Sequence, residues 1–241
     1  MTEQLKGNVA IIPARGGSKR IPRKNLKSFA GLPIIAHSIR TAIASGLFEQ
    51  VVVSTDDPEI EAIALEYGAQ VPFRRPAHLA DDHTTTHAVV SHALQTLAGQ
   101  GHVLTHACCL YATAPFVQQR YLQEGLALLQ QHPERSFAFS VSSFGFPVQR
   151  ALTLDAQGAL EPLYPQFRET RSQDLEPAYQ DAGQFYWGRV QAWLENEVLY
   201  SERSLPVIIP RHLVQDIDTE DDWLRAQYLY AALKAGGELD S

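Results

Sequence analysis

The chain alternates short apolar, branched runs with longer segments of helical spacing. Val9-Ala10-Ile11-Ile12 carries no polar alternation and reads as a strand buried on both faces, as do residues 51–55. Residues 33–44 place Ile35, Ile39 and Ile43 at i, i+4 and i+8. That spacing predicts a helix with these three on its core stripe, ended by Gly46. Asp56-Asp57-Pro58 predicts the entry of a second helix that runs through Tyr67 and closes at Gly68. A third helix is predicted over 84–97, introduced by Asp81 and Asp82, and a fourth from Val117 to about Gln131. Strands are predicted at 106–113, 137–143, 182–188 and 206–210, and a last helix at 219–233. This order predicts an α/β class: three layers, with a mostly parallel central sheet and helices on both faces.

One stretch breaks the rhythm. Residues 145–179 are rich in Pro, Gln and Arg and keep neither period. A long irregular segment in a compact domain is usually an insertion with a role. It is predicted to pack on a partner subunit or to close a substrate site, against the plainer reading of a surface loop. Residues 235–241 are predicted to fray. With 241 residues the chain suits one domain, 1–241, carrying that insertion.

Composition narrows the function. The net charge of −7 argues against general nucleic-acid or membrane-surface binding. Cys108 and Cys109 are adjacent in a predicted strand, so their side chains point to opposite faces and an ordinary disulfide between them is disfavoured. Buried thiols, the lack of an apolar leader and the lack of a span of about 18 apolar residues predict a cytoplasmic protein.

Against that acidic background, the loop after the first strand is strongly basic. Pro13 opens it, and it carries Gly16, Gly17 and Ser18 among Arg15, Lys19, Arg20, Arg23 and Lys24. Glycines let backbone N–H groups approach an anion, and Arg grips phosphate oxygens in bidentate fashion. The loop is neither a Walker sequence nor a dinucleotide fingerprint. It reads as a triphosphate site, the alternative being a solvated basic loop. An acidic counterpart lies near the other end, in Asp216-Ile217-Asp218. Residues i and i+2 of extended backbone face the same side, so both carboxylates are candidates for one Mg²⁺. Alone, the pair also reads as a helix cap beside a solvated acid. Glu220, Asp221 and Asp222 are assigned to the helix entry.

With both ends in hand, the chain resembles the CMP-sialic acid synthetases, cytidylyltransferases that activate acid sugars. Residues 11–25, IIPARGGSKRIPRKN, carry the resemblance, with VVVSTDD at 51–57, Tyr67-Gly68-Ala69, Arg75-Pro76 and residues 79–82. Two departures, Tyr111-Ala112-Thr113-Ala114-Pro115-Phe116 and Asp181-Ala182-Gly183-Gln184-Phe185-Tyr186-Trp187, resemble the pseudaminic acid cytidylyltransferase branch instead, as do residues 146–152 and 170–174.

The resemblance implies a nucleotide-diphospho-sugar transferase-like fold. It implies transfer of CMP from CTP to the anomeric hydroxyl of pseudaminic acid, releasing pyrophosphate, with Mg²⁺ as cofactor. Arg15, Ser18, Lys19, Lys24 and Asn25, with the glycines, would hold CTP, and Arg15 and Lys24 would act on the phosphates. Backbone at Ala14 and Arg15 and one hydroxyl of Thr84, Thr85 and Thr86 would read cytosine. Asp216 and Asp218 would bind the metal. Tyr111, Gln149, Arg171, Gln173, Asp181 and Gln184 are the candidates for an acidic nine-carbon sugar, with Arg171 on its carboxylate. A homodimer is implied as well. Sialic, legionaminic and octulosonic acids remain alternative substrates, and a CTP-binding regulator without catalysis is the alternative of another class.

Overall fold

The computed structural model describes residues 7–239. In chain order the strands are β1 (Asn8–Pro13), β2 (Ser28–Phe29), β3 (Leu32–Pro33), β4 (Gln50–Ser54), β5 (His106–Leu110), β6 (Phe137–Ser143), β7 (Leu152–Leu154), β8 (Leu160–Pro162), β9 (Tyr179–Arg189) and β10 (Ser204–Ile208). The helices are α1 (Ile34–Ser45), α2 (Pro58–Glu66), α3 (Thr86–Gly99), α4 (Gln119–Gln131), α5 (Val190–Leu194) and α6 (Glu220–Ala235).

Six strands form one sheet in the order β10-β6-β9-β5-β1-β4. β4, β1 and β5 are parallel neighbours, as are β10 and β6, while β9 runs antiparallel between β5 and β6. The strands are apolar on both sides because both sides are covered. α1, α2, α4 and α6 pack with Ile12, Val53, Cys108 and Trp187 on one face. α3 and α5 pack with Ile11, Val52, Cys109 and Tyr186 on the other. Cys108 and Cys109 therefore point to opposite layers as free, buried thiols. Trp187, Trp193 and Phe137 are fully enclosed, each contributing roughly 1.5–3 kcal/mol through lost apolar hydration.

The helix boundaries have local causes. Asp57 caps α2, its carboxylate accepting the N–H groups of Glu59 (2.8 Å) and Ile60 (3.1 Å). Thr85, and not Asp81 or Asp82, caps α3 by accepting from Ala88 N–H. Thr219 and Asp222 form a reciprocal capping box on α6. Gly46 ends α1 at a φ of 64°. The α1 stripe is narrower than its spacing predicts: Ile35 and Ile39 are fully buried, but Ile43 is 46% exposed because α1 rolls Ala42 inward instead.

Residues 145–179 leave the sheet as an arm of short 3-10 turns and the β7–β8 hairpin. Its ends, Ser143 on β6 and Tyr179 on β9, face each other in the ladder. The tail is tied down as far as it is described. Glu238 pairs with His212 at 2.9 Å, and its carbonyl accepts from Gln118 at 2.7 Å, so fraying is not seen up to Leu239. Residues 240–241 of the predicted frayed tail lie outside the described residues. No helix among the described residues is long and apolar enough to cross a membrane.

Candidate active site

The parallel strands β1, β4 and β5 end along one edge, the usual ligand edge of such sheets. There the basic loop closes over a cleft of about 540 Å³. Its walls carry Arg15, Ser18, Lys19, Arg20, Lys24 and Asn25 from the loop, with Arg75, Thr84, Thr86, Tyr111 and Asp218 from elsewhere.

Of the two loop glycines, Gly16 has a tertiary role of its own. A Cβ on Gly16 would come within 3.0 Å of the Asp57 side chain, and the Gly16 N–H donates to Asp56 Oδ1 at 3.1 Å. Gly16 thus docks the loop onto the start of α2, and neither glycine lines the cleft. Arg23 completes that docking. It sits at a φ of 55° and turns away from the cleft to Asp57 and Glu59, the latter at 2.6 Å. Arg23 holds the Asp57 carboxyl below the usual carboxylate range, with the Ile60 and Glu59 N–H groups helping.

Inside the cleft the cations are held by carboxylates and carbonyls. Asp82 bridges Arg15 at 2.7 Å and Lys19 at 2.5 Å, and Arg15 also donates to the Asp81 carbonyl. Asn25 donates to the Arg15 carbonyl at 3.0 Å. Arg20 pairs with Asp218 at 2.9 Å. Lys24 donates to the Ile217 carbonyl and stands 3.6 Å from Asp218. Burial lowers the Lys24 pKa, opposed by Asp218 and Asp216. Burial raises that of Asp216, and the neighbouring Asp218 adds to the rise. The stretch 214–218 is irregular rather than strand-like. Asp218 faces the cleft, whereas Asp216 faces an adjoining pocket of about 460 Å³.

Tyr111 is the wall shared by the two spaces. Its hydroxyl meets Thr86 at 3.2 Å, and Ser38 fixes its carbonyl at 2.8 Å. In the second pocket Tyr186 and Tyr200 both donate to Asp181 Oδ2 at 2.6 Å, and Gly183 N–H donates to Oδ1 at 2.9 Å. Burial and the Asp181 charge push both phenols well above their ordinary pKa, so they remain hydrogen-bond donors.

Several predicted residues fall elsewhere. Thr85 is occupied as the α3 cap, which leaves Thr84 and Thr86 on the cleft. The Ala14 N–H is bound to the Ser54 carbonyl at 2.9 Å and is closed to a base. Gln184 is buried, its amide donating to the Leu213 carbonyl at 2.7 Å, and lines neither space. Gln149, Arg171 and Gln173 lie on the arm and are not brought to the cleft within the same chain. Gln149 donates to the Glu176 carbonyl, and Arg171 is 72% exposed beside Asp174. Among the cleft residues not assigned to the site from the sequence are Arg75 and Asp82. Arg75 is only 5% exposed and grips Ser54 through its hydroxyl and carbonyl, where burial brings its pKa down to about 10. Their place in the segment of residues 75–82 was the available signal.

Comparison with known proteins agrees with this geometry. Residues 9–161 match the family model described as cytidylyltransferase. The chain is 44% identical to a pseudaminic acid cytidylyltransferase of Campylobacter jejuni, over 92% of this chain and 96% of that protein. It is 32% identical to a CMP-N,N'-diacetyllegionaminic acid synthase of Legionella pneumophila, over 92% and 95%. Among solved structures, a CMP:2-keto-3-deoxy-manno-octonic acid synthetase complexed with CTP shares the fold. Its TM-score is 0.70 at 17% identity, covering 94% of this chain and 99% of that one.

Proposed function

The chain belongs to the cytidylyltransferase family, and from that premise we propose that it transfers CMP from CTP to the anomeric hydroxyl of pseudaminic acid. The observation that carries this reading is the pair of adjoining spaces: a cationic cleft sharing the Tyr111 wall with a pocket of carboxylates and phenols. The 44% identity to a pseudaminic acid enzyme supports the choice of sugar.

CTP would lie in the cleft, its phosphates on Arg15, Lys19, Arg20, Lys24 and Arg75. Phosphate oxygens would compete with Asp82 and Asp218 for the same donors. Thr84 and Thr86 are the hydroxyls placed to meet the nucleoside. The sugar's anomeric oxygen forms the new bond to the α-phosphorus as the bond to the pyrophosphate oxygen breaks, and the attacking hydroxyl's proton passes to solvent water. The chain's contribution is alignment and fixed positive charge where pyrophosphate departs. Asp181, fixed by three donors, is placed to accept from sugar hydroxyl or amide groups.

Asp216 and Asp218 fit a Mg²⁺ ion. They stand close enough for one charge to raise the other's pKa, with Asp218 on the phosphate cleft and Asp216 on the adjoining pocket. No group of three metal-binding side chains exists among the described residues, which suits an ion that takes one or two carboxylates plus phosphate oxygens and water. When bound, Mg²⁺ would offset the triphosphate charge.

The sugar pocket has no cation in its lining. The sugar carboxylate therefore needs a cation from outside it, and Arg171 on the arm remains the candidate. The arm exposes Phe146, Leu152, Leu154, Leu160 and Leu163, which supports a homodimer through residues 145–179. The soluble substrates of this chemistry support a cytoplasmic location.

Purified protein with CTP and Mg²⁺ is offered pseudaminic, N-acetylneuraminic and legionaminic acid separately, and pyrophosphate release is measured. Pseudaminic acid is expected to turn over fastest. Turnover with a sialic acid alone would sink the assignment.

A further inference from the structure

On the face of the sheet that carries α1, α4 and α6, a groove of about 490 Å³ runs between these helices. It shares no lining residue with the cleft or the sugar pocket. Arg40 from α1 and Lys234 from α6 both line it, and no Asp or Glu among the described residues does. The cations of the main cleft, by contrast, are paired: Arg15, Lys19, Arg20 and Lys24 each meet a carboxylate. Arg40 and Lys234 pair with none among the described residues, on a protein of net charge −7. The nearby Glu238 is turned to His212 instead.

The groove floor adds directional groups. His37 Nε2 lies 2.9 Å from the Phe29 carbonyl, which can only accept, so Nε2 carries the proton. Nδ1 is then an acceptor for the Tyr230 hydroxyl at 3.4 Å. Burial lowers the His37 pKa, opposed by the hydrogen bond to Phe29, and the charges of Arg40 and Lys234 lower it further. Thr41 supplies a hydroxyl beside Arg40. Gln119 adds a further polar group, and Leu32, Val117 and Leu239 with the Tyr230 ring form the apolar part of the wall.

We propose that this groove binds a phosphate monoester carrying a ring, at a site separate from the nucleotide cleft. The charge count selects the anion. A monoester carries about −1.5 to −2 at neutral pH and matches both cations, whereas a carboxylate leaves one unmatched. The apolar wall and the Tyr230 ring select a ligand with a body larger than the phosphate itself. A nucleoside monophosphate and a sugar phosphate share this chemistry.

The test is calorimetric titration of the intact protein with phenyl phosphate, glucose 6-phosphate and inorganic phosphate. Three proteins are compared: the unaltered chain, the double variant Arg40→Gln with Lys234→Gln, and Lys24→Gln, which disables the main cleft. Both groove cations are exposed, so the double variant keeps its fold, checked by circular dichroism. Phenyl phosphate or glucose 6-phosphate is expected to bind the unaltered chain and Lys24→Gln alike. The double variant should lose about tenfold or more in affinity, the size of one charged hydrogen bond. Tighter binding of phenyl phosphate indicates the nucleotide source, and of glucose 6-phosphate the sugar source. Three results would each overturn the site: no binding of either monoester at millimolar concentration, loss of binding in Lys24→Gln alone, or inorganic phosphate binding as tightly as both monoesters.

Discussion

The basic cleft and the arm are both polar, loop-rich regions, yet they are built in opposite ways. Every loop cation in the cleft is tied to a group distant in sequence: Arg15 and Lys19 to Asp82, Arg20 to Asp218, Lys24 to Ile217. The arm makes mainly local bonds, such as Arg171 with Asp174, and leaves large apolar side chains outside. Long-range ties fix a charged constellation before a ligand arrives, which is what electrostatic catalysis requires. A segment with local bonds and exposed leucines lacks a core of its own, and its apolar surface marks a place for something else to cover.

The sharpest way to break this contrast is Lys24→Ala. It removes the cation that reaches Asp218 and Ile217, and kcat/KM for cytidylyl transfer should fall by about 100- to 1,000-fold while the circular dichroism is unchanged. An activity within twofold of the original would place phosphate binding elsewhere. Next, Leu152→Asp combined with Leu160→Asp on the arm should weaken self-association by about tenfold or more, read by sedimentation velocity. An unchanged association would separate the arm from dimerisation.

Smaller effects test the scaffold behind the loop. Asp57→Ala removes the α2 cap and the Arg23 partner and should cost about 1–2 kcal/mol, or about 2–8 °C in Tm. Asp57 also sets an acid dependence. Its folded pKa lies below the ordinary value of about 3.9, so the stability it contributes is complete above that value. It is lost as the pH falls through the depressed folded value. Urea unfolding between about pH 5 and 2 should therefore show a steeper loss in the original chain than in Asp57→Asn. The smallest effect is expected of Arg74→Ala, within about 0.5 kcal/mol, since its pair with Glu61 is solvent-exposed.

Arg74 and its neighbour mark the limit of what was legible in the sequence. Nothing in their spacing separates an exposed Arg74 from a buried Arg75. The difference arises because the backbone at Arg75 is bound to the Thr55 carbonyl at 2.8 Å, which turns that side chain under β4. The strand and helix order was readable because period and burial are local properties. The antiparallel direction of β9 was not, since an apolar run looks the same whichever way it is paired. Gly16 was rightly marked as special, but for a tertiary reason, contact with Asp57, that spacing does not encode. The loop and the Asp216–Asp218 segment do meet, as their chemistry suggested, while Gln184 is drawn inward by the Leu213 carbonyl.

The pairing of Ser143 with Tyr179 has a consequence for how such a chain can change. Because the arm departs and returns at facing residues of neighbouring strands, its ends are held together by the sheet whatever lies between them. Closing a loop costs free energy only logarithmically in its length, about 0.6 kcal/mol per doubling. The segment can therefore be lengthened, shortened or rewritten over generations while the catalytic edge keeps its shape, so that whatever the arm serves can drift without refounding the enzyme.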